Sequence, residues 1–196
     1  MRLFVGIDFS DALKNEIYNL EQKLKPLSHK GNWKHEDNFH LTLKFLGDIP
    51  EDRLEVLYEA VDKASLSVEP FDIALKGIGA FGLSDVSAET GLCPAKVLWL
   101  GIEGDLSALN KLYLAVEDAL VEVGFAKDFR PYAPHITLGQ DLKFKCEFQA
   151  IRNAISEMDG KIHVTEVTVF NSEVFEGRRI YRPLRKYSIG GGTSET

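Results

Sequence analysis

Two of the five histidines in this 196-residue chain occupy the same four-residue frame, His40-Leu41-Thr42-Leu43 and His135-Ile136-Thr137-Leu138. With 7 Thr and 24 Leu present, the chance that two of five His share Thr at +2 and Leu at +3 is about 2 in ten thousand. An imidazole titrates near neutral pH, so one ring can accept a proton while the other, charged, donates one. A hydroxyl two residues away can donate a hydrogen bond to an oxygen that gains negative charge. Together the two frames meet the needs of in-line displacement at phosphorus. They supply a base for the incoming water or hydroxyl, an acid for the leaving oxygen, and donors for the non-bridging oxygens. A catalytic zinc takes three protein ligands, and neither frame brings a third His or a carboxylate at ligand spacing. A reaction without metal or cofactor is therefore expected.

Strands must present these side chains. Successive strand residues point to opposite faces, so His40, Thr42 and Lys44 should share a polar face, with Phe39, Leu41, Leu43 and Phe45 on the core face. The second frame alternates likewise, Pro134, Ile136 and Leu138 inward and His135 and Thr137 outward.

The elements around the frames follow from periodicity. Met1 to Asp8 reads as a first strand, and Ser10 as the N-cap of a helix carrying Leu13, Ile17, Leu20 and Leu24 and ending near Pro26. A polar loop with His29 and His35 leads to the first frame, and a second helix after Pro50 carries Leu54, Leu57, Val61 and Ala64. Strands are expected at Phe71 to Ile78 and Val97 to Ile102, joined by a long hairpin loop from Gly79 to Ala95 whose composition would also suit a lid. A third helix carries Leu106, Leu109, Leu112, Val116, Leu120 and Val123, and a short fourth one Ile151, Ala154, Ile155 and Met158. Two strands, Ile162 to Phe175 and Arg179 to Ser188, are joined by Glu176-Gly177, a hairpin signal. The order amounts to a loose duplication. Two similar lobes around a pseudo-twofold axis would bring both frames into one cleft.

Bulk properties bound the function. A chain with 44% hydrophobic and 27% charged residues supports one compact domain, here residues 1–189, with 190–196 a Gly-rich disordered tail. The net charge of −7 argues against a broad duplex nucleic-acid footprint but leaves room for an RNA end or a small anionic group. The basic run Arg178, Arg179, Arg182, Arg185 and Lys186 reads either as a solvated strand edge or as a phosphate-attracting patch. Cys93 and Cys146 are too few for a disulfide framework, and no signal peptide or membrane-length apolar run is visible, so a cytoplasmic protein is expected. No unexplained apolar stripe asks for a second copy, and a monomer is expected. His29, His35 and His163 read as ordinary surface residues, and Trp33, Phe81, Trp99 and Tyr132 as core or rim residues that could also stack on a base. Arg130 reads equally as a phosphate contact or a surface residue.

The paired frames, the opening Arg2-Leu3-Phe4-Val5-Gly6-Ile7-Asp8, the stretch Asn38-Phe39-His40-Leu41-Thr42-Leu43-Lys44-Phe45-Leu46-Gly47 and the segment Pro134 to Leu138 resemble the 2H phosphoesterase superfamily. Within it the chain looks like the RNA 2′,3′-cyclic phosphodiesterases, also called 2′-5′ RNA ligases. The resemblance implies a bilobal α+β fold with two antiparallel sheets lining a central cleft and helices outside. It also implies metal-independent hydrolysis of 2′,3′-cyclic phosphate ends of RNA or nucleotides to 2′-phosphates, with reversible 2′-5′ ligation as a related reaction. His40 would be the proton donor, His135 the proton acceptor, and Thr42 and Thr137 the phosphate-binding hydroxyls. Many relatives carry Arg soon after the second frame where this chain has Gln140, which is where turnover or substrate preference would depart from theirs. Two alternatives stand beside this reading: a module that binds RNA ends or cyclic nucleotides without turnover, and a 2′-5′ phosphodiesterase.

Overall fold

The computed structural model describes residues 1–154 and 160–191. Nine strands and four helices are formed by these residues: β1 (Arg2–Asp8), α1 (Asp11–Leu24), β2 (Ser28–Trp33), β3 (His40–Asp48), α2 (Leu54–Ser65), β4 (Phe71–Phe81), β5 (Cys93–Gly104), α3 (Leu106–Glu122), β6 (His135–Phe144), α4 (Phe148–Asn153), β7 (Lys161–Val164), β8 (Glu166–Phe175) and β9 (Arg178–Ser188). They make a four-stranded sheet in the order β3-β1-β8-β9 and a five-stranded sheet in the order β2-β6-β5-β4-β7. All strand pairs are antiparallel. This is the expected α+β class, with one His frame opening β3 and the other opening β6.

Local chemistry explains most boundaries. Ser10 accepts a hydrogen bond from the Leu13 amide and caps α1, whose Leu13, Ile17, Leu20 and Leu24 are buried. Asp105 caps α3 in the same way through the Ala108 amide, and Leu109, Leu112, Val116 and Leu120 form its buried stripe. Helix α2 packs on β8, β9 and α3, while α3 also touches β3 and β4. The β8–β9 turn places Glu176 and Gly177 at φ 47° and 75°, the left-handed pair that a two-residue hairpin of this type requires. No described helix is long and apolar enough to cross a membrane.

Four expectations need correction. The polar stretch around His29 is not a loop but strand β2, which pairs with β6 and so joins the second sheet. Ser28-His29-Lys30-Gly31-Asn32-Trp33 has no apolar alternation, because an edge strand can be held by ladder hydrogen bonds alone. The single strand expected from Ile162 to Phe175 breaks at Thr165: β7 pairs with β4 and β8 with β1, so the chain changes sheets there. Strands β4 and β5 run further than expected, which shortens the hairpin loop to residues 82–92. Lys44 and Phe45 exchange faces, for the reason given below. Helix α4 ends at Asn153; Ile155 and Met158 lie outside the described residues. Of the expected tail, Gly190 and Gly191 join a short 3-10 turn with Ile189, and 192–196 lie outside the described residues.

Candidate active site

The two His frames are built alike down to an irregularity. In β3 the pairing with β1 runs from Thr42↔Gly6 to Lys44↔Val5, so Leu43 is an extra residue. In β6 the pairing with β5 runs from Thr137↔Trp99 to Gly139↔Leu98, so Leu138 is the extra one. A bulge turns two consecutive residues inward and reverses the alternation beyond it. Leu43 and Lys44 are accordingly both buried, as are Leu138 and Gly139, while Phe45 and Gln140 line the cleft. The core residues Leu41, Leu43, Ile136 and Leu138 are each at most 4% exposed and anchor the frames with roughly 1.5–3 kcal/mol of burial apiece. Gly6 permits the first strand to come close, since a Cβ there would lie 2.7 Å from the Leu41 carbonyl oxygen.

His40, Thr42, His135 and Thr137 line one cavity of about 570 Å³. Each ring is oriented by the carbonyl two residues before it: His40 Nδ1 is 2.7 Å from Asn38 O and His135 Nδ1 is 2.7 Å from Ala133 O. A carbonyl only accepts, so Nδ1 carries the hydrogen in both rings and Nε2 is left for chemistry. In the neutral ring, His40 Nε2 accepts from the Thr42 hydroxyl at 2.9 Å. Asn38 is itself fixed, donating to Arg179 O at 2.7 Å and accepting from the Tyr181 amide at 3.1 Å, which ties the start of β3 to β9.

The rings differ in their shelter. His40 sits 4.6 Å from the Phe4 ring and edge-on to Tyr181 at 5.0 Å. Burial among these aromatics, only partly offset by the bond to Asn38 O, lowers the His40 pKa from 6.5 to about 4, so the neutral ring predominates at pH 7. His135 stands perpendicular to Phe81 at 5.0 Å.

Among the described residues the cleft lining contains Arg2, Lys34, Arg130 and Arg179 and no carboxylate, in a chain of net charge −7. The acidic whole therefore hides a cationic pocket suited to a phosphate. Of the basic C-terminal run, only Arg179 reaches the cleft; Arg182 pairs with Glu173, Arg185 lies over Tyr58, and Lys186 pairs with Glu166. These three fit the surface reading, and Arg179 is placed where the phosphate-patch reading would need it. Arg130 lies in the cleft wall, its guanidinium bound to both oxygens of Asp128 at 3.0 and 2.6 Å. This ion pair depresses the Asp128 carboxyl well below the usual range. Among the described residues, His, Cys, Asp and Glu do not gather in threes at a metal-binding spacing.

Sequence reasoning missed several contributors: Arg2, Lys34, Asn38 and Tyr181 lie in the cleft lining, and nothing in their spacing marks them. His163 pairs with exposed Asp72 and His35 with exposed Asp37, both away from the cleft. Of the four candidate stacking residues, Phe81 and Trp99 lie beside His135, Tyr132 donates its hydroxyl to Thr42 O at 3.2 Å, and Trp33 packs at the β2–β6 edge.

The sequence model of the LigT like Phosphoesterase family matches residues 7–87 and 100–181. An RNA 2′,3′-cyclic phosphodiesterase of Geobacillus stearothermophilus is 36% identical over 74% of the chain, which spans 44% of that relative's length. A protein of the same name from Methanothermobacter thermautotrophicus is 26% identical over 96% of the chain and 99% of its own. Among solved structures, E. coli LigT complexed with 3′-AMP superposes with a TM-score of 0.73 at 25% identity, covering 96% of this chain and 97% of that one. Both matched segments contain a His frame set in its bulged strand, and the chain belongs to the LigT-like phosphoesterase family.

Proposed function

We propose that the protein hydrolyses 2′,3′-cyclic phosphates at RNA ends or on small nucleotides to 2′-phosphates, without a metal. The observation that carries this is two imidazoles, each with Nδ1–H tied to a carbonyl, facing one cleft lined by cationic side chains with a Thr beside each. The phosphate sits between Thr42 and Thr137. His135 Nε2 takes a proton from water as its oxygen attacks phosphorus; the bond to the 3′ oxygen breaks in line, and His40 Nε2–H protonates that oxygen. A 2′-phosphate and a 3′-hydroxyl result. Burial keeps the His40 ring neutral by itself, so it takes up its proton from solvent as substrate binds: the phosphate anion beside Thr42 supplies the opposite charge that favours the imidazolium. With an RNA 5′-hydroxyl in place of water as the attacking group, the same groups would form a 2′-5′ linkage, and running that reaction backwards would cleave one. The names of the relatives support the substrate class.

The test is incubation with a 2′,3′-cyclic nucleotide in excess EDTA, resolving 2′- from 3′-phosphate. A 2′-phosphate product is expected, unchanged by chelator, with either His40→Ala or His135→Ala lowering turnover roughly 100- to 10,000-fold. Sulfur in place of the 3′ bridging oxygen leaves without protonation, so it should rescue His40→Ala and not His135→Ala; the opposite pattern would exchange the two roles. Binding with no product from wild-type protein would leave a nucleotide-binding module instead.

A further inference from the structure

Asp8, at the end of β1, pairs directly with His40 across the β1–β3 ladder. The register there is regular, with Gly6↔Thr42, Ile7↔Leu41 and Asp8↔His40. Ile7 and Leu41 share the buried face, so Asp8 and His40 share the other. Directly opposed strand residues hold their Cβ atoms about 4.5–5.5 Å apart. Gly6 lets the imidazole lie close to β1, since a Cβ there would stand 3.6 Å from His40 Cδ2. The Asp8 carboxylate is nevertheless outside the substrate cleft. It lines a separate cavity of about 190 Å³ with Ser10, Thr168 and Lys186, and its Oδ1 accepts the Phe9 amide at 2.9 Å and the Lys14 ammonium at 2.7 Å. The Asp8 and Lys14 side chains are 21% and 15% exposed, so water screens their charges only in part.

His40 feels charge from several sides. Lys34, just after β2, and Lys14, in α1, oppose a charge on the ring, while Asp8 favours one. Strands β8 and β9 present the rings of Phe170 and Tyr181, and Arg179 turns its guanidinium to the Ser172 hydroxyl. Resting on the hydrolase activity proposed above, we propose that Asp8 is a positioning residue for that reaction: paired with Lys14, it sets how readily His40 takes up the proton that it gives to the leaving oxygen. Lys14 masks enough of the carboxylate that Asp8 alone does not charge the ring, and enough negative charge remains that an arriving phosphate completes the change. An acid donates most efficiently when its pKa lies near the working pH. With a neutral residue at position 8, a ring walled by aromatics and faced by two lysines would take up its proton too late.

The experiment titrates His40 itself, by proton–nitrogen NMR of protein labelled in its histidine rings, with saturating sulfate as a phosphate stand-in whose charge stays constant across the range. Asp8→Asn and Lys14→Met break the same ion pair, so a purely structural role would move His40 the same way in both. The charge argument moves it oppositely. The midpoint is expected to fall by about 0.5–1 pH unit in Asp8→Asn and to rise by a similar amount in Lys14→Met, with Asp8→Glu close to wild type. In the pH profile of kcat for a 2′,3′-cyclic nucleotide, the limb that belongs to His40 should move in the same directions, with KM little changed because neither side chain lines the cleft. Shifts of one sign, or no shift in Asp8→Asn, overturn the proposal whether or not cyclic phosphate is hydrolysed. Opposite shifts without any turnover uphold Asp8 as the group that sets the His40 proton and overturn the hydrolase.

Discussion

Lys44 Nζ donates to Glu117 Oε2 at 2.6 Å, between the strand that carries the first His frame and helix α3. Both residues are buried, 5% and 2% exposed, and each makes a second hydrogen bond: Lys44 also donates to Ala126 O at 2.7 Å, and Glu117 Oε1 accepts the Asp128 amide at 2.7 Å. Because Asp128 grips Arg130, a continuous chain of polar contacts runs from β3 to a cation in the cleft wall.

Removing one partner of this pair leaves a buried charge unmatched. Lys44→Met is expected to destabilise the protein by about 3–5 kcal/mol, whereas Lys44→Met with Glu117→Leu recovers much of that loss. Urea unfolding of the single and double variants measures both. The double variant should still bind phosphate less tightly than wild type, since the Asp128 amide loses its acceptor and Arg130 its fixed position.

His40 makes stability depend on pH. Its folded-state pKa of about 4 lies below the ordinary 6.5, so between those values the unfolded chain binds a proton that the folded one does not. Stability is therefore full above pH 6.5 and falls as the pH drops toward 4, by up to roughly 3 kcal/mol from this group. His40→Asn should flatten that part of the profile, measured as the difference in urea midpoint between pH 7 and pH 4.5. A bound phosphate analogue should flatten it as well, by raising the folded-state value.

Gly6→Ala tests how closely β1 and β3 must approach. The added methyl meets a backbone oxygen that cannot swing away, so the start of β3 has to shift. A cost of about 1–3 kcal/mol in stability is expected. Because His40 and Thr42 move with the strand, turnover should drop by roughly tenfold or more. Circular dichroism melts and steady-state rates on the same preparation separate the two effects.

Gln140 occupies the position in β6 that Phe45 occupies in β3, directly after the bulge and facing the cleft. Gln140→Arg adds a fifth cation to the lining and is expected to tighten inorganic phosphate inhibition roughly three- to tenfold, most clearly at low salt. An inhibition constant that does not respond would mean that the 140 side chain does not reach the phosphate.

Much of this was legible in the sequence because strand alternation and helical spacing reach into the core. His40, Thr42, His135 and Thr137 stand two apart, and strand geometry alone places each pair on one face. Lys44 and Phe45 were misread because a bulge is a property of the pairing, with no residue pattern of its own at Leu43. Strand β2 was missed because its backbone holds it to β6 and its side chains need no alternation. The switch of sheets at Thr165 leaves Ile162, Val164, Val167 and Val169 looking like one strand, since both parts bury apolar residues. Lys34, just after β2, and Tyr181, in β9, reach the cleft from distant parts of the chain, and no local spacing encodes that meeting.

Strand β2 comes from the first third of the chain yet completes the second sheet, while the β8–β9 hairpin comes from the last third and completes the first. The two sheets have thus traded pieces. Cutting the chain in the turn after α2 would leave an N-terminal fragment with only β3 and β1 of its sheet, and a C-terminal fragment missing β2 and holding an orphan hairpin. Neither fragment would possess a finished core, but each carries what the other lacks. The fold is therefore suited to division into two inert peptides, each with one of the two histidines, that regain structure only on mixing.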